Sequence, residues 1–258
     1  MTSLSFRNRR QASAAHFVLV AAILAGVFVL AYAWWYPTGL FMSARGFDLF
    51  VLIAATNLVV GPLLTFIVYV PGKKGLAFDL VVIAVLQAAA LAYGLYVLHE
   101  SRPVFLVFVK DRFELVRANG IPQPHLERAR STPYAEFPID GPRLVGAMLP
   151  LDPVERQQIV IATITTIGLD LHHFPHLYVP YDGVRAEVRA RAAPLARLRE
   201  LNPDASGEID RLVAGSGHPE AALGFLPMRA GKTDLAAIID LKSGDLIHVA
   251  ALRPWTLK

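Results

Sequence analysis

The chain has no cysteine. That excludes disulfides, thiolate metal ligands and a cysteine nucleophile, although not an oxidising compartment, because many extracytoplasmic proteins lack disulfides. Charge is scarce at the front. Of 25 Lys and Arg residues, only Arg7, Arg9, Arg10, Arg45, Lys73 and Lys74 precede residue 99, and of 21 Asp and Glu residues only Asp48 and Asp79 do. The remainder holds 19 of each sign, so the whole formal charge of +4 belongs to the front and the C-terminal part is neutral. A nucleic-acid-binding domain is itself basic, so nucleic acid is excluded as a partner.

The front holds three long apolar runs instead. Phe17 to Tyr36 supplies about 20 residues, roughly the 30 Å of a bilayer core at 1.5 Å per residue. It ends in Tyr32, Trp34, Trp35 and Tyr36, an aromatic belt suited to a membrane interface. Ala31-Tyr32-Ala33 has the form of a signal-peptidase site, but the run is long for a signal peptide and tryptophans would follow the cut. The run reads as an uncleaved anchor. A second span extends from about Leu49 to Val70 and a third from about Leu76 to Leu98. The basic residues flanking these spans put the N-terminus and the Lys73-Lys74 hinge in the cytoplasm. Three crossings then carry everything after His99 to the far side. The expected organisation is a basic arm over 1–15, a three-helix transmembrane domain over 16–98 and a periplasmic α+β domain over 99–258.

Within the spans, Asn57, Gly61 and Thr65 recur every four residues and share one helix face. Gln87, Ala90 and Gly94 follow at three and four on the next. Small residues allow close approach in lipid, and a buried amide there needs a partner, so the two stripes are expected to meet as a hairpin. Pro62 removes the hydrogen bond to the carbonyl of Leu58 and is expected to kink its helix. Asp79 reads as an interfacial cap at the start of the third span, near the hinge lysines.

After residue 99 the texture becomes globular, with about 160 residues, enough for one core. Val104 to Val109 is apolar on both faces and predicts a central strand, with Arg112 to Arg117 extending or pairing with it. Residues 120–153 hold seven prolines and predict an extended, irregular segment. Asp152-Pro153-Val154-Glu155 reads as a helix start, with the helix running to Ile167 and Gly168 closing it. Val184, Val188, Ala192, Leu195 and Leu198 form one helical face, with Pro194 expected to kink or restart the helix. Leu223 to Met228, Leu235 to Asp240 and Leu246 to Ala251 predict three strands, the last two joined by the turn Lys242-Ser243-Gly244-Asp245.

Searches for chemistry return little. Gly231-Lys232-Thr233 ends like a phosphate-binding loop, but the position of the earlier glycine is Leu226. Gly215-Ser216-Gly217 is not a nucleophile elbow, because the outer positions are Ala214 and His218. His172, His173 and His176 are the best metal candidates, yet Pro175 breaks the helical spacing that would make them converge. No catalytic residue, metal or cofactor is assigned.

Gly61-Pro62-Leu63-Leu64-Thr65, Lys73-Lys74, Phe78-Asp79-Leu80, Gln87, Ala90-Leu91 and Tyr93-Gly94 together resemble the type IV pilin accessory proteins of the TfpX/TfpZ kind. Arg102-Pro103-Val104, Asp111-Arg112-Phe113, Tyr178-Val179-Pro180-Tyr181 and Pro254-Trp255 continue the resemblance over nearly the whole chain. It departs at Asn57, where that family carries an acidic residue. The resemblance implies an inner-membrane protein without catalysis that binds or chaperones pilin for pilus assembly and surface piliation. Its implied partners are the type IV major pilin, other inner-membrane components of the pilus machinery, and lipid. Asn57, Gly61, Pro62, Thr65, Gln87, Ala90 and Gly94 are then the expected partner-binding positions. The rival readings are a membrane enzyme or transporter acting on a lipid-linked or small substrate, and a sensor, for which no cytoplasmic output domain is evident.

Overall fold

Asn8 opens the first helix by accepting the N–H of Gln11 at 3.0 Å, so α1 (Arg9–Leu30) starts well ahead of Phe17. Residues 9–15 of the expected basic arm are therefore helical, because an N-cap asparagine at position 8 satisfies a donor of the first turn. The computed structural model describes residues 8–36, 40–43, 46–165 and 169–255. α1 continues into a π-helical turn over Ala31–Trp35. There follow α2 (Leu40–Ser43), α3 (Gly46–Val68) and α4 (Leu76–Glu100). Arg9–Trp35, α3 and α4 are each long and apolar enough to cross a membrane. Leu19, Leu52, Val85 and other large apolar side chains of these helices point outward, an arrangement stable in lipid and not in water. Between α3 and α4, Gly72 and Gly75 take φ of 77° and 84°, a region glycine enters without strain. Lys73 in that turn pairs with Asp79 at 2.7 Å.

The chain forms two compact units, Met1–Ala33 with Arg45–Glu100, and Trp34–Ala44 with Ser101–Lys258. The second is built on a mixed sheet. Its strands are β1 (Pro103–Val109), β2 (Arg112–Arg117), β3 (Arg143–Ala147), β4 (Tyr178–Pro180), β5 (Ala193–Pro194), β6 (Leu223–Ala230), β7 (Thr233–Asp240) and β8 (Leu246–Ala250). They lie in the order β4-β3-β1-β2-β6-β7-β8, with β5 pairing aside on β6. The β1–β3 and β2–β6 pairs are parallel and the rest antiparallel. All seven residues of β1 are buried, as expected for a strand covered on both faces.

Helices cover the sheet: α5 (Gln123–Arg128), α6 (Pro153–Thr165), α7 (Arg185–Arg191), α8 (Leu195–Leu201) and α9 (Ser206–Ser216). Ile159, Phe174 and Tyr178 pack with β1 and β3 in one core cluster. Leu195, Leu198 and Ile209 pack with β6, β7 and β8 in another. Asp152 caps α6 by accepting the N–H of Glu155 at 3.2 Å, while the expected end at Ile167 and Gly168 lies outside the described residues.

One expectation about this unit needs correction. Residues 120–153 are not irregular throughout, since they contain α5 and β3. Pro122 and Pro124 fall at the start of α5, where the missing N–H costs nothing. Pro142 immediately precedes β3, which runs parallel to β1 with Phe105 opposite Arg143. The face from Val184 to Leu198 restarts after Pro194, as expected: α7 ends at Arg191, Ala193–Pro194 pairs with Gly224 and Phe225 as β5, and α8 begins at Leu195. Gly231-Lys232-Thr233 is a hairpin turn between β6 and β7, with Gly231 at φ 68°.

Candidate functional site

The seven stripe residues lie in the first unit, and most are spent on packing its own helices. Asn57, Gly61, Pro62 and Thr65 are buried along one side of α3, and Gly94 is buried on α4. Asn57 donates from Nδ2 to the Ile53 carbonyl of its own helix at 2.8 Å. With its amide oriented to satisfy its neighbours, Gln87 donates to the Asn57 carbonyl at 3.2 Å and to Asn57 Oδ1 at 3.3 Å, and accepts the Gly61 N–H at 3.3 Å. The contact depends on two glycines. A Cβ on Gly61 would lie 2.7 Å from the end of the Gln87 side-chain amide and 3.0 Å from His16 Nε2, and one on Gly94 would lie 2.8 Å from Ile53 Cγ1. Small residues thus bring the backbones close enough for an amide to bridge them.

α1 supplies partners that the stripe analysis missed. His16 Nδ1 lies 2.6 Å from Thr65 Oγ1, and Ser13 Oγ donates to the Pro62 carbonyl at 2.8 Å. The polar chain therefore crosses all three helices. Ser13 and His16 sit three apart, so they share a face, a pattern readable only once α1 is extended back to Arg9.

Two clefts flank this chain. One, of about 580 Å³, is lined by Ala15, His16 and Leu19 of α1, Thr65 of α3, and Ile83 and Ala84 of α4. The other, of about 300 Å³, is lined by Thr56 and Asn57 of α3 and by Ala90, Tyr93 and Gly94 of α4. Ala90 thus lines an apolar cleft beside the amide bridge, half-buried.

The second unit has its own polar cavity of about 660 Å³, lined by Glu114, Arg117, Asp170, His172, His173 and Arg229. Arg112 holds Glu114 at 2.7 Å, yet burial dominates and pushes the Glu114 carboxyl up. Burial above all, reinforced by the neighbouring His173, drives His172 down to about 3. Burial and then Arg128 drive His176 down to about 4. His173 instead accepts the Asp170 N–H on Nδ1 at 3.1 Å, closing a capping box. The hydroxyl of Tyr178 donates to the His172 carbonyl. His125, brought in from α5, meets Phe174 edge-on with ring centres 4.5 Å apart. Among the described residues, no three His, Cys, Asp or Glu side chains converge as a metal-ligating group. Of the three histidines expected from sequence, His172 and His173 line this cavity, whereas His176 packs edge-on against Phe174.

No family model matches the chain, and no solved structure does. It is similar to curated fimbrial assembly proteins of Dichelobacter nodosus. The serogroup I protein is 33% identical over 202 residues, covering 76% of each chain. The serogroup E1 protein is 30% identical over 239 residues, covering 90% of this chain and 91% of the relative. The protein of serogroups C1 and C2 is 35% identical over 134 residues, half of this chain and all of the relative.

Proposed function

The chain belongs to the fimbrial assembly protein family, and on that premise we propose that it is an inner-membrane accessory protein of type IV pilus biogenesis. In this reading it binds the major pilin, without catalysis, and holds the subunit ready for assembly. The observation that carries the reading is a likeness to the serogroup E1 protein over 90% of the chain, which takes in both the membrane helices and the sheet unit.

The bundle supports a binding role. Its internal polar contacts link Gln87 with Asn57 and Gly61, His16 with Thr65, and Ser13 with Pro62. The described groups of this polar network are amides, hydroxyls and the His16 imidazole, with no Asp, Glu, Lys or Arg among them, unlike the charged relays that ion pathways use. We assign the seven stripe residues to pilin binding in a divided way. Asn57, Gly61, Pro62, Gln87 and Gly94 set the helix spacing, while Thr65 and Ala90 border the two clefts that would receive an apolar helix of pilin. The N-terminus is cytoplasmic and the sheet unit periplasmic in this reading. It is supported by Arg9, Arg10, Lys73 and Lys74, and by the grouping of Trp34–Ala44 with the sheet unit. Three crossings put those two segments on one side.

The test is photo-crosslinking in native membranes from Leu19 and Ala90, one in each cleft. Capture of pilin at either position is expected. Absence of capture at both, with normal surface pili, would overturn the reading in favour of an enzymatic or regulatory role.

A further inference from the structure

The sheet ends differently at its two edges. β4 is three residues long and closes on Pro180, which has no N–H to donate, a common way of blunting an edge. β8 has the sequence LIHVA, with no proline, lysine or acidic residue. Among the described residues, its one strand neighbour is β7. Among the described residues, no hydrogen bond outside that ladder reaches positions 246–250. Alternate N–H and C=O groups of β8 therefore face an open edge.

A groove of about 390 Å³ runs beside that edge, walled by Arg211, Leu212 and Gly215 of α9 and by Ile247, His248 and Ala250 of β8. The α9 residues are spaced so that they share one helix face. A Cβ at Gly215 would meet nothing within 4 Å, so the wall leaves room for a side chain there. The ladder skips Ile247, with Ile238 opposite His248 and Ile239 opposite Leu246. Such a bulge re-aims a side chain, and that of Ile247 lines the groove.

We propose that β8 and α9 form a receptor for an extended polypeptide segment, which adds to β8 as a further strand and lays an apolar side chain over Gly215. An unpaired strand edge is complementary to another extended backbone and not to a helix, whose donors and acceptors are used internally. Leu212, Ile247 and Ala250 give the groove an apolar floor. Glu208 and Arg211, whose side chain donates to the Gly207 carbonyl at 3.1 Å, both border the groove, so its rim carries one charge of each sign. The donor is the pilin subunit, an identification that rests on the proposed function.

The experiment uses the full chain in detergent, the pilin subunit of the same cell, and hydrogen–deuterium exchange read at residues 246–250. Pilin is expected to slow exchange there. Gly215→Trp, which fills the groove from an exposed helix position, is expected to weaken pilin binding about tenfold or more, with Gly215→Ala within about twofold. An unchanged thermal midpoint for Gly215→Trp separates blocking from misfolding. Pilin binding without protection at 246–250 overturns the β8 receptor and leaves the proposed function standing. Absence of pilin binding to the wild-type chain overturns both.

Discussion

His16 of α1 and Thr65 of α3 meet at 2.6 Å through Nδ1 and Oγ1, which ties the first helix to the amide-bridged pair behind it. Interhelical polar pairs in membranes average only about 0.6 kcal/mol, because the separated helices also find partners. A double-mutant cycle of His16→Ala and Thr65→Val, read by steric trapping, should give a coupling of about that size. Thr65→Ser keeps the hydroxyl and should keep most of the coupling. Additive single-mutant effects would show that the contact contributes nothing.

Close approach should matter more than the bridge itself. A Cβ at Gly61 meets the Gln87 side-chain amide at 2.7 Å, so Gly61→Ala should cost about 1 kcal/mol net, overpacking outweighing the gain in helix propensity. Gln87→Ala in the same chain removes the obstructing amide and should recover most of the loss. If the double variant is no better than Gly61→Ala alone, the spacing is set elsewhere.

Much of this was legible in residue spacing. The three spans, the facing of Asn57 and Gln87, the cap at Asp152 and the strands after Leu223 follow from period, small-residue stripes and turn chemistry. What escaped did so for physical reasons. β3 is five residues long and lies among prolines; it is a strand because β1 offers a parallel partner and because Gly146 admits Val184, whose Cγ1 would lie 2.5 Å from an added Cβ. Those are tertiary facts that no local pattern carries. Ser13 and His16 were hidden because the span was counted from its first large apolar residue, whereas helices begin at caps. The histidine cavity joins residues from β2, α6, β6 and the turn before β4, which only the sheet topology brings together.

The buried histidines give the second unit an acid limit. His172 and His176 sit near 3 and 4 when folded, against about 6.5 when unfolded. Below about pH 6.5 the unfolded chain therefore binds more protons, and stability falls as pH drops towards about 4. Each proton taken up only on unfolding contributes at most about 1.4 kcal/mol per pH unit, with the partly exposed His176 giving less. Thermal midpoints of the full chain in detergent should decline over that window, and His172→Gln with His176→Gln should flatten the decline. An equally steep profile in the double variant would move the acid limit to the carboxylates.

The missing cysteines make topology easy to read. A single Cys at Lys242, exposed in the turn before β8, should react in intact spheroplasts with a maleimide that cannot cross membranes. A single Cys at Lys74 should react only after permeabilisation. The reverse pattern would invert the orientation, and labelling of both in intact spheroplasts would contradict an odd number of crossings between them.

The cleft beside Ala90 should be where occupancy by pilin is most easily blocked. Ala90 borders about 300 Å³ of apolar space with Asn57, Tyr93 and Gly94, whereas Val85 lies exposed on the same helix at a position rotated away from Ala90. Ala90→Trp fills the cleft and Val85→Trp only enlarges the lipid-facing surface, so the two variants carry similar insertion energies and different shapes. Surface piliation should fall several-fold for Ala90→Trp, with chain levels in the membrane unchanged, and stay near normal for Val85→Trp. A linked second contact from the sheet unit would keep the loss partial, since tethering raises the effective concentration at the weakened site. Equal loss in both variants would mean that bulk anywhere on α4 disturbs the bundle. Normal piliation in both would remove the Ala90 cleft from pilin recognition.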